Sequence, residues 1–279
     1  MNVAIVTVKT LIYIAVHLST MWENAGMTAE KTDMIGKALG LLVLLGDEPK
    51  GLGASDLARK AGLPFSTTHR LLASLTRDGF AHFEADERRY HLGLRIYLLG
   101  QRVSHAHGYT GVAQPILQRI TSATRESTIM AILDGTYQLT VGKVDGPQAF
   151  RITTDPGHRG PLHSTAVGKV LVAFAEPEES EQLVEELELV PRTEHTITDR
   201  QAFREEIALV RERGYAVMNE ENEVGMHAVA VPVLSPEGKA TAAIATAAPV
   251  FRIRLKDLLT HVPVLQEAAI ELSARLPQR

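Results

Sequence analysis

The chain has 279 residues, 45% of them hydrophobic, enough to fill two ordinary domain cores, and its net charge of -4 excludes a protein that coats nucleic acid over its whole surface. It has no cysteine, which excludes disulfides, thiolate zinc sites and a cysteine nucleophile and is compatible with a reducing cytoplasm. The charge is unevenly placed: residues 31–107 carry 11 Lys plus Arg against 8 Asp plus Glu, whereas residues 108–279 carry 17 against 23.

Residues 1–31 read as an N-terminal extension. Their segment "MNVAIVTVKTLIYIAVHLSTM" is apolar, but Lys9 and His17 interrupt it short of the ~20 residues a spanning helix needs, so no membrane partner is expected. Residues 34–45 are apolar enough for a buried first helix, and "ASDLARKAG" (54–62) is a second short one, with Leu57, Ala58 and Ala61 facing inward and Gly62 as its stop. In "LPFSTTHRLLASLTRDGF" (63–80), Phe65, Thr68, Leu71, Leu72 and Leu75 recur at the spacing of a helix face seated on a core. Pro64 and Ser66 suit its first turn. The opposite face gathers Ser66, Thr67, His69, Arg70, Ser74 and Arg77, and no carboxylate intervenes before Asp78. Hydroxyls, an imidazole and guanidiniums donate to phosphates and base edges, so these residues, with Thr68 included, form the expected DNA-contacting set. Residues 80–93 alternate as a hairpin turning near 85–88, a wing that places Arg88 and Arg89 for a flanking phosphate. Residues 32–92 thus form a winged helix-turn-helix domain, in which the third helix enters the major groove.

Residues 93–108 follow as a linker helix and hinge, with Leu94, Tyr97, Leu98 and Val103 on one stripe. From residue 109 onward the pattern mixes helices and strands. A helix to about residue 125 precedes strands at 128–133, 137–144 and 149–153. Helices are expected at 164–174 and 178–187, and a third opens on a capping box of Thr198 with Gln201 and stops at Gly214. Strands at 227–234 and 239–248 flank the turn "SPEG", and a last helix covers 255–276. This is an α+β domain suited to sensing a ligand.

Catalytic readings fail on the residues. Gly168-Lys169 lacks the first glycine and the final hydroxyl of a phosphate loop, with His163 and Val170 in their places. Ser164 has no G-x-S-x-G elbow, and His158 and His163 have neither a standard metal-ligand spacing nor an accompanying carboxylate. "NEENE" (219–223) reads as a solvated loop. No cofactor, no metal and no enzyme activity are expected.

The segments "IGKALGLLVLL", "ASDLARKAGLPFSTTHRLLASLTRDGF", "RRYHLGLRIYLLG", "GPLHSTAVGKVLVAF", "RERGYAVMNEENEVGMHAVAVPV" and "GKATAAIATAAP" occur in the order and spacing of one family. From about residue 32 to the C-terminus the chain resembles the IclR-type bacterial transcription regulators. Met27 is the nearer match to where that family starts. The resemblance implies a GAF-like effector-binding domain whose pocket lies between the sheet and the loop before the "HSTAVGK" helix. The backbone amides of Ala166 and Val167 match the family's ligand-holding loop, and Ile152, Met218, Met226, Ala228, Ala245 and Ala247 match its wall. Members that bind very polar acids carry an acid, a thiol and hydroxyls among these wall positions, so Met and Ala here imply a less polar ligand: a small organic acid, a related carbonyl compound or an aromatic. His163, Ser164, Thr165 and Thr246 are the expected polar contacts. The resemblance also implies a repressor of a catabolic operon, or a ligand-responsive activator of the same architecture, that reads a near-palindromic operator in double-stranded DNA as a homodimer or dimer of dimers.

Overall fold

The computed structural model describes residues 33–148 and 154–277. The expected extension, the expected strand at 149–153 and the wall position Ile152 lie outside the described residues. The chain divides into two compact units between Gln101 and Arg102.

In the first unit, α1 (Met34–Gly46) starts at Asp33, whose carboxylate accepts the Gly36 amide at 2.8 Å. α2 (Ala54–Lys60) ends in a turn through Gly62, whose φ of 63° suits a residue without a Cβ. α3 (Phe65–Arg77) completes the helix-turn-helix, and the antiparallel pair β1 (Ala81–Glu84) and β2 (Arg89–Leu92) forms the wing. A short bridge between Leu52 and Tyr90 ties the wing to the segment before α2. Leu41, Leu45, Leu57 and Leu72 meet in a core closed by Ala81 and Tyr90.

Two expectations are corrected here. α1 buries only one face, since Ile35, Leu39 and Val43 are exposed while Leu41, Leu44 and Leu45 are buried. Phe65 also faces out, beside the His69 ring at 6.1 Å, because the first turn of α3 projects beyond the core. α4 (Leu94–Ala106), the expected linker helix, buries no residue and exposes Leu94, Tyr97, Leu98 and Val103.

The second unit is built on a six-stranded antiparallel sheet of β3 (Ser127–Asp134), β4 (Tyr137–Val144), β5 (Arg159–Pro161), β6 (Ala216–Asn219), β7 (Met226–Leu234) and β8 (Ala240–Pro249), in the order β5-β4-β3-β8-β7-β6. Neither β5 nor β6 was foreseen, each being too short to show an alternation. Helix α5 (Gln114–Thr124) follows a π-helical turn at Tyr109–Ala113. The helices α6 (Ala166–Ala173), α7 (Pro177–Glu186) and α8 (Arg200–Arg213) come next in the chain. α8 is capped by Asp199, which accepts the Ala202 amide at 2.8 Å, rather than by Thr198. The expected single last helix is three pieces: α9 (Leu255–Leu258), a 3-10 turn at Leu259–His261, and α10 (Val262–Arg275), with Pro263 in its first turn supplying no amide to the helix before it.

Side-chain alternation separates the sheet's two faces. Ile129, Ala131, Met218, Ala228, Ala230, Ala243, Ala245 and Ala247 share one core with α6, α7 and α8, whereas Met130, Val229, Val231, Val233 and Ile244 share the other with α5 and α10. The mixed helices around an antiparallel sheet are the expected α+β class.

Candidate nucleic-acid interface and ligand site

On α3 the polar face is open. Ser66, His69, Arg70 and Arg77 are exposed, Thr67 and Ser74 are half-buried, and Ser66, Thr67, His69 and Arg70 make no side-chain hydrogen bond or ion pair with any described residue. Arg77 is engaged by Asp78, through Nε to Oδ1 at 3.1 Å and Nη2 to Oδ2 at 3.3 Å. Thr68 is the exception and corrects the expected contact set: it is fully buried, and its hydroxyl donates to the Pro64 carbonyl at 3.2 Å. On the wing, Arg88 is exposed at the tip with a φ of 53°. Arg89 turns back, and its Nη1 donates to the carbonyls of Lys50 at 3.3 Å and Gly51 at 2.8 Å. It braces the wing while its remaining N–H groups stay available. A recess of about 350 Å³ lined by His69, Phe83, Ala85, Arg88, Tyr90 and Ala54 separates α3 from the wing.

In the second unit the loop before α6 is held rigidly. Thr165 caps the helix, its hydroxyl accepting the Gly168 amide at 3.1 Å and donating to the Pro161 carbonyl at 2.8 Å. The fit there is so close that a Cβ on Gly168 would lie 2.4 Å from the Leu162 carbonyl oxygen. Ser164 donates to Asn222 at 3.1 Å, and His163 Nε2 donates to the Val190 carbonyl at 3.0 Å. Burial holds the His163 imidazole below its ordinary pKa, opposed by its bond to Val190 and assisted by the cations Arg192 and Lys169. These three side chains, expected as ligand contacts, are therefore committed to the scaffold. What the loop leaves open is backbone: the amides of Ala166 and Val167 precede the first intrahelical bond and donate to no described residue.

The register assembles the wall opposite. Met218 pairs with Ala228 and Ala228 with Ala247, while Ala230 pairs with Ala245, all on the α6 side of the sheet. Met226 joins them at the end of β7. Thr246 does not, which corrects its expected role: lying between Ala245 and Ala247, it projects to the other face, 3.4 Å from His261 Nδ1.

A buried ion cluster was missed by the sequence reading. Lys169, 1% exposed, sends Nζ to both oxygens of Glu221 at 2.8 Å and to Glu206 at 3.1 Å, and Arg213 meets the same Glu206 oxygen at 3.0 Å. Glu221 is thus not on a solvated loop. Burial pushes its carboxyl above the usual range, against the pull of Lys169. The hydroxyls of Thr193 and Thr196 donate to Glu220 and Glu221 carbonyls at 2.7 Å each and fix the loop that carries it. Among the described residues there is no cluster of metal-ligand side chains and no helix long and apolar enough to cross a membrane.

The pattern defining the IclR helix-turn-helix domain matches residues 35–85, and that of the bacterial transcriptional regulator IclR C-terminal domain matches residues 101–274. The chain belongs to the IclR family of transcriptional regulators. It is 31% identical over 245 residues to the HTH-type transcriptional regulator BhcR of Paracoccus denitrificans, covering 88% of each chain. It is 26% identical to the HTH-type transcriptional repressor AllR of Escherichia coli strain K12, covering 86% of this chain and 89% of that one. An IclR homologue from Microbacterium hydrocarbonoxydans, solved in complex with 4-hydroxybenzoate, superposes with a TM-score of 0.75 at 25% identity, over 87% of this chain and 98% of that one. The IclR assignment makes this protein a DNA-binding transcription regulator with a ligand-binding C-terminal domain, and not an enzyme.

Proposed function

We propose that the protein is a repressor of a catabolic operon that binds a near-palindromic operator as a dimer and whose DNA affinity is set by a small organic metabolite held between α6 and the sheet. The observation that carries the DNA-binding half is the uncommitted donor face of α3, where Ser66, Thr67, His69 and Arg70 have no side-chain hydrogen-bond or ion-pair partner among the described residues. Arg88, exposed at the tip of the wing, adds a phosphate contact. The exposed apolar stripes of α1 and α4, including Ile35, Leu39, Leu94 and Tyr97, fit a second copy of the chain, because one winged domain covers too few base pairs to be selective. The same chemistry works where the chromosome is, in the cytoplasm. Repression agrees with the activity in the name of AllR, and an effector agrees with the 4-hydroxybenzoate complex of the Microbacterium homologue.

Ligand binding acts by its differential affinity for the DNA-competent and DNA-incompetent forms, carried through residues 92–108. Fluorescence-anisotropy titration against the protein's own upstream intergenic DNA, at two salt concentrations and with random DNA as control, tests the reading. Selective, salt-steep binding that a metabolite relieves supports it; binding that a metabolite tightens makes the protein a ligand-dependent activator or co-repressed switch. Equal affinity for random DNA overturns the operator.

A further inference from the structure

The side chain that best distinguishes the ligand site is one that neither the resemblance nor the relatives point to. Thr140 on β4 is 1% exposed, and its hydroxyl is buried without a hydrogen-bond partner among the described residues. Its direction follows from the register. Thr140 pairs with Ala131, which lies in the core beneath α6. The neighbouring residue of β4 on that face, Gln138, meets the Thr165 hydroxyl at 3.3 Å, at the start of α6. Thr140 therefore projects into the layer where the Ala166 and Val167 amides stand open. A bulge between Met130 and Ala131 places Lys143 on this face as well. Buried hydroxyls are nearly always paired, because an unmade bond is costly, so an unpaired one on the sheet face that α6 covers marks the position of an absent acceptor.

The charges around the site limit what that acceptor belongs to. Lys143 is bound by Asp145 at 3.1 Å and Asp155 at 3.0 Å. Lys169 is saturated by Glu221 and Glu206, and the His163 donor is spent on Val190. Every other described wall position is Met or Ala. One anionic end can be gripped by the two amides and the hydroxyl; a second carboxylate would be buried against side chains with nothing to offer it.

We propose that Thr140 is a ligand-contacting, specificity-determining residue, completing with the Ala166 and Val167 amides a single anion-holding pole, and that the effector is a monocarboxylate with an apolar body. This rests on the reading that a small molecule binds between α6 and the sheet.

The test is calorimetric titration of the full chain with benzoate, phenylacetate and hexanoate, with the diacids terephthalate and adipate, and with benzyl alcohol, for the natural protein, Thr140→Val and Thr140→Ser. At least one monocarboxylate should bind, and loss of a charge-assisted bond in Thr140→Val should weaken it about tenfold. Thr140→Ser should keep that affinity, and benzyl alcohol should be indifferent to either change. The ligand-free Thr140→Val protein should melt at a higher temperature than the natural one, since the unpaired hydroxyl is gone; a merely structural threonine would not combine a gain in stability with a loss of affinity. Binding of none of the monocarboxylates, or of a diacid as tightly, overturns the ligand class, and an unchanged affinity in Thr140→Val overturns the role of Thr140. Both failures are distinct from failure of the underlying reading, which would show as monocarboxylate binding left unchanged by Ala228→Asp, a charge placed on the sheet face beneath α6.

Discussion

The stretches "FSTTHR" at the start of α3 and "HSTAVGK" at the start of α6 use nearly the same residues, a histidine, a serine, threonines and a cation, and put them to opposite use. On α3, Ser66, His69 and Arg70 are exposed and uncommitted. At α6, His163, Ser164, Thr165 and Lys169 are buried, and each is tied to another segment of the second unit. A surface that recognises a partner by side chains must leave them unsatisfied in the free protein. A site that recognises by backbone needs its side chains spent on holding the backbone still.

The contrast is broken most sharply at the ion cluster. Glu221→Ala should strand the Lys169 charge and destabilise the protein by about 3–5 kcal/mol in urea unfolding, eased toward the low end by Glu206, while Lys169→Met with Glu221→Leu should cost less than that single change. Arg70→Ala should do the reverse. It should leave unfolding within about 0.5 kcal/mol of the natural protein, yet weaken selective operator binding by about 1–3 kcal/mol if Arg70 reads a base. Equal weakening on random DNA would assign Arg70 to phosphate instead. Thr68→Val, lying on α3 but buried like the residues of α6, should change the salt dependence of DNA binding not at all.

The smallest effect is on pH dependence. His163, His227 and His261 all have pKa values lowered by burial, so each takes up its proton at a lower pH in the fold than in the unfolded chain. Their contribution is complete above about 6.5 and is lost as pH falls below it, since the unfolded state then binds more protons. His163→Gln, which keeps a donor for Val190, should flatten that acid-side slope in denaturation measured between pH 7.5 and 5.5, and an unchanged slope would assign it to the other two histidines.

Much of the first unit was legible because its groups act where the chain leaves them: helix spacing located α3, and the residues between the apolar positions were the open donors. Thr68 was misplaced because one residue cannot serve both faces, and its place in the apolar repeat already decided the matter. The same holds for Thr246, where the two-residue alternation of β8 sets it opposite Ala245 and Ala247. Other features had no local signal. Lys169 and Glu221 are 52 positions apart, and a lysine in an apolar helix does not name its partner. Thr140 looks like any threonine in a strand until the absence of an acceptor can be seen.

The order of the second sheet bears on how copies of the chain can meet. Its two outer strands are its shortest, three residues in β5 and four in β6, while the ten-residue β8 lies between β3 and β7. Among the described residues, the outermost strands therefore offer another chain only three or four residues of their own edge to pair with, a short-edge arrangement that works against strand-to-strand stacking. A second copy of the chain that docks on this domain would have to meet side-chain surfaces rather than a long strand edge.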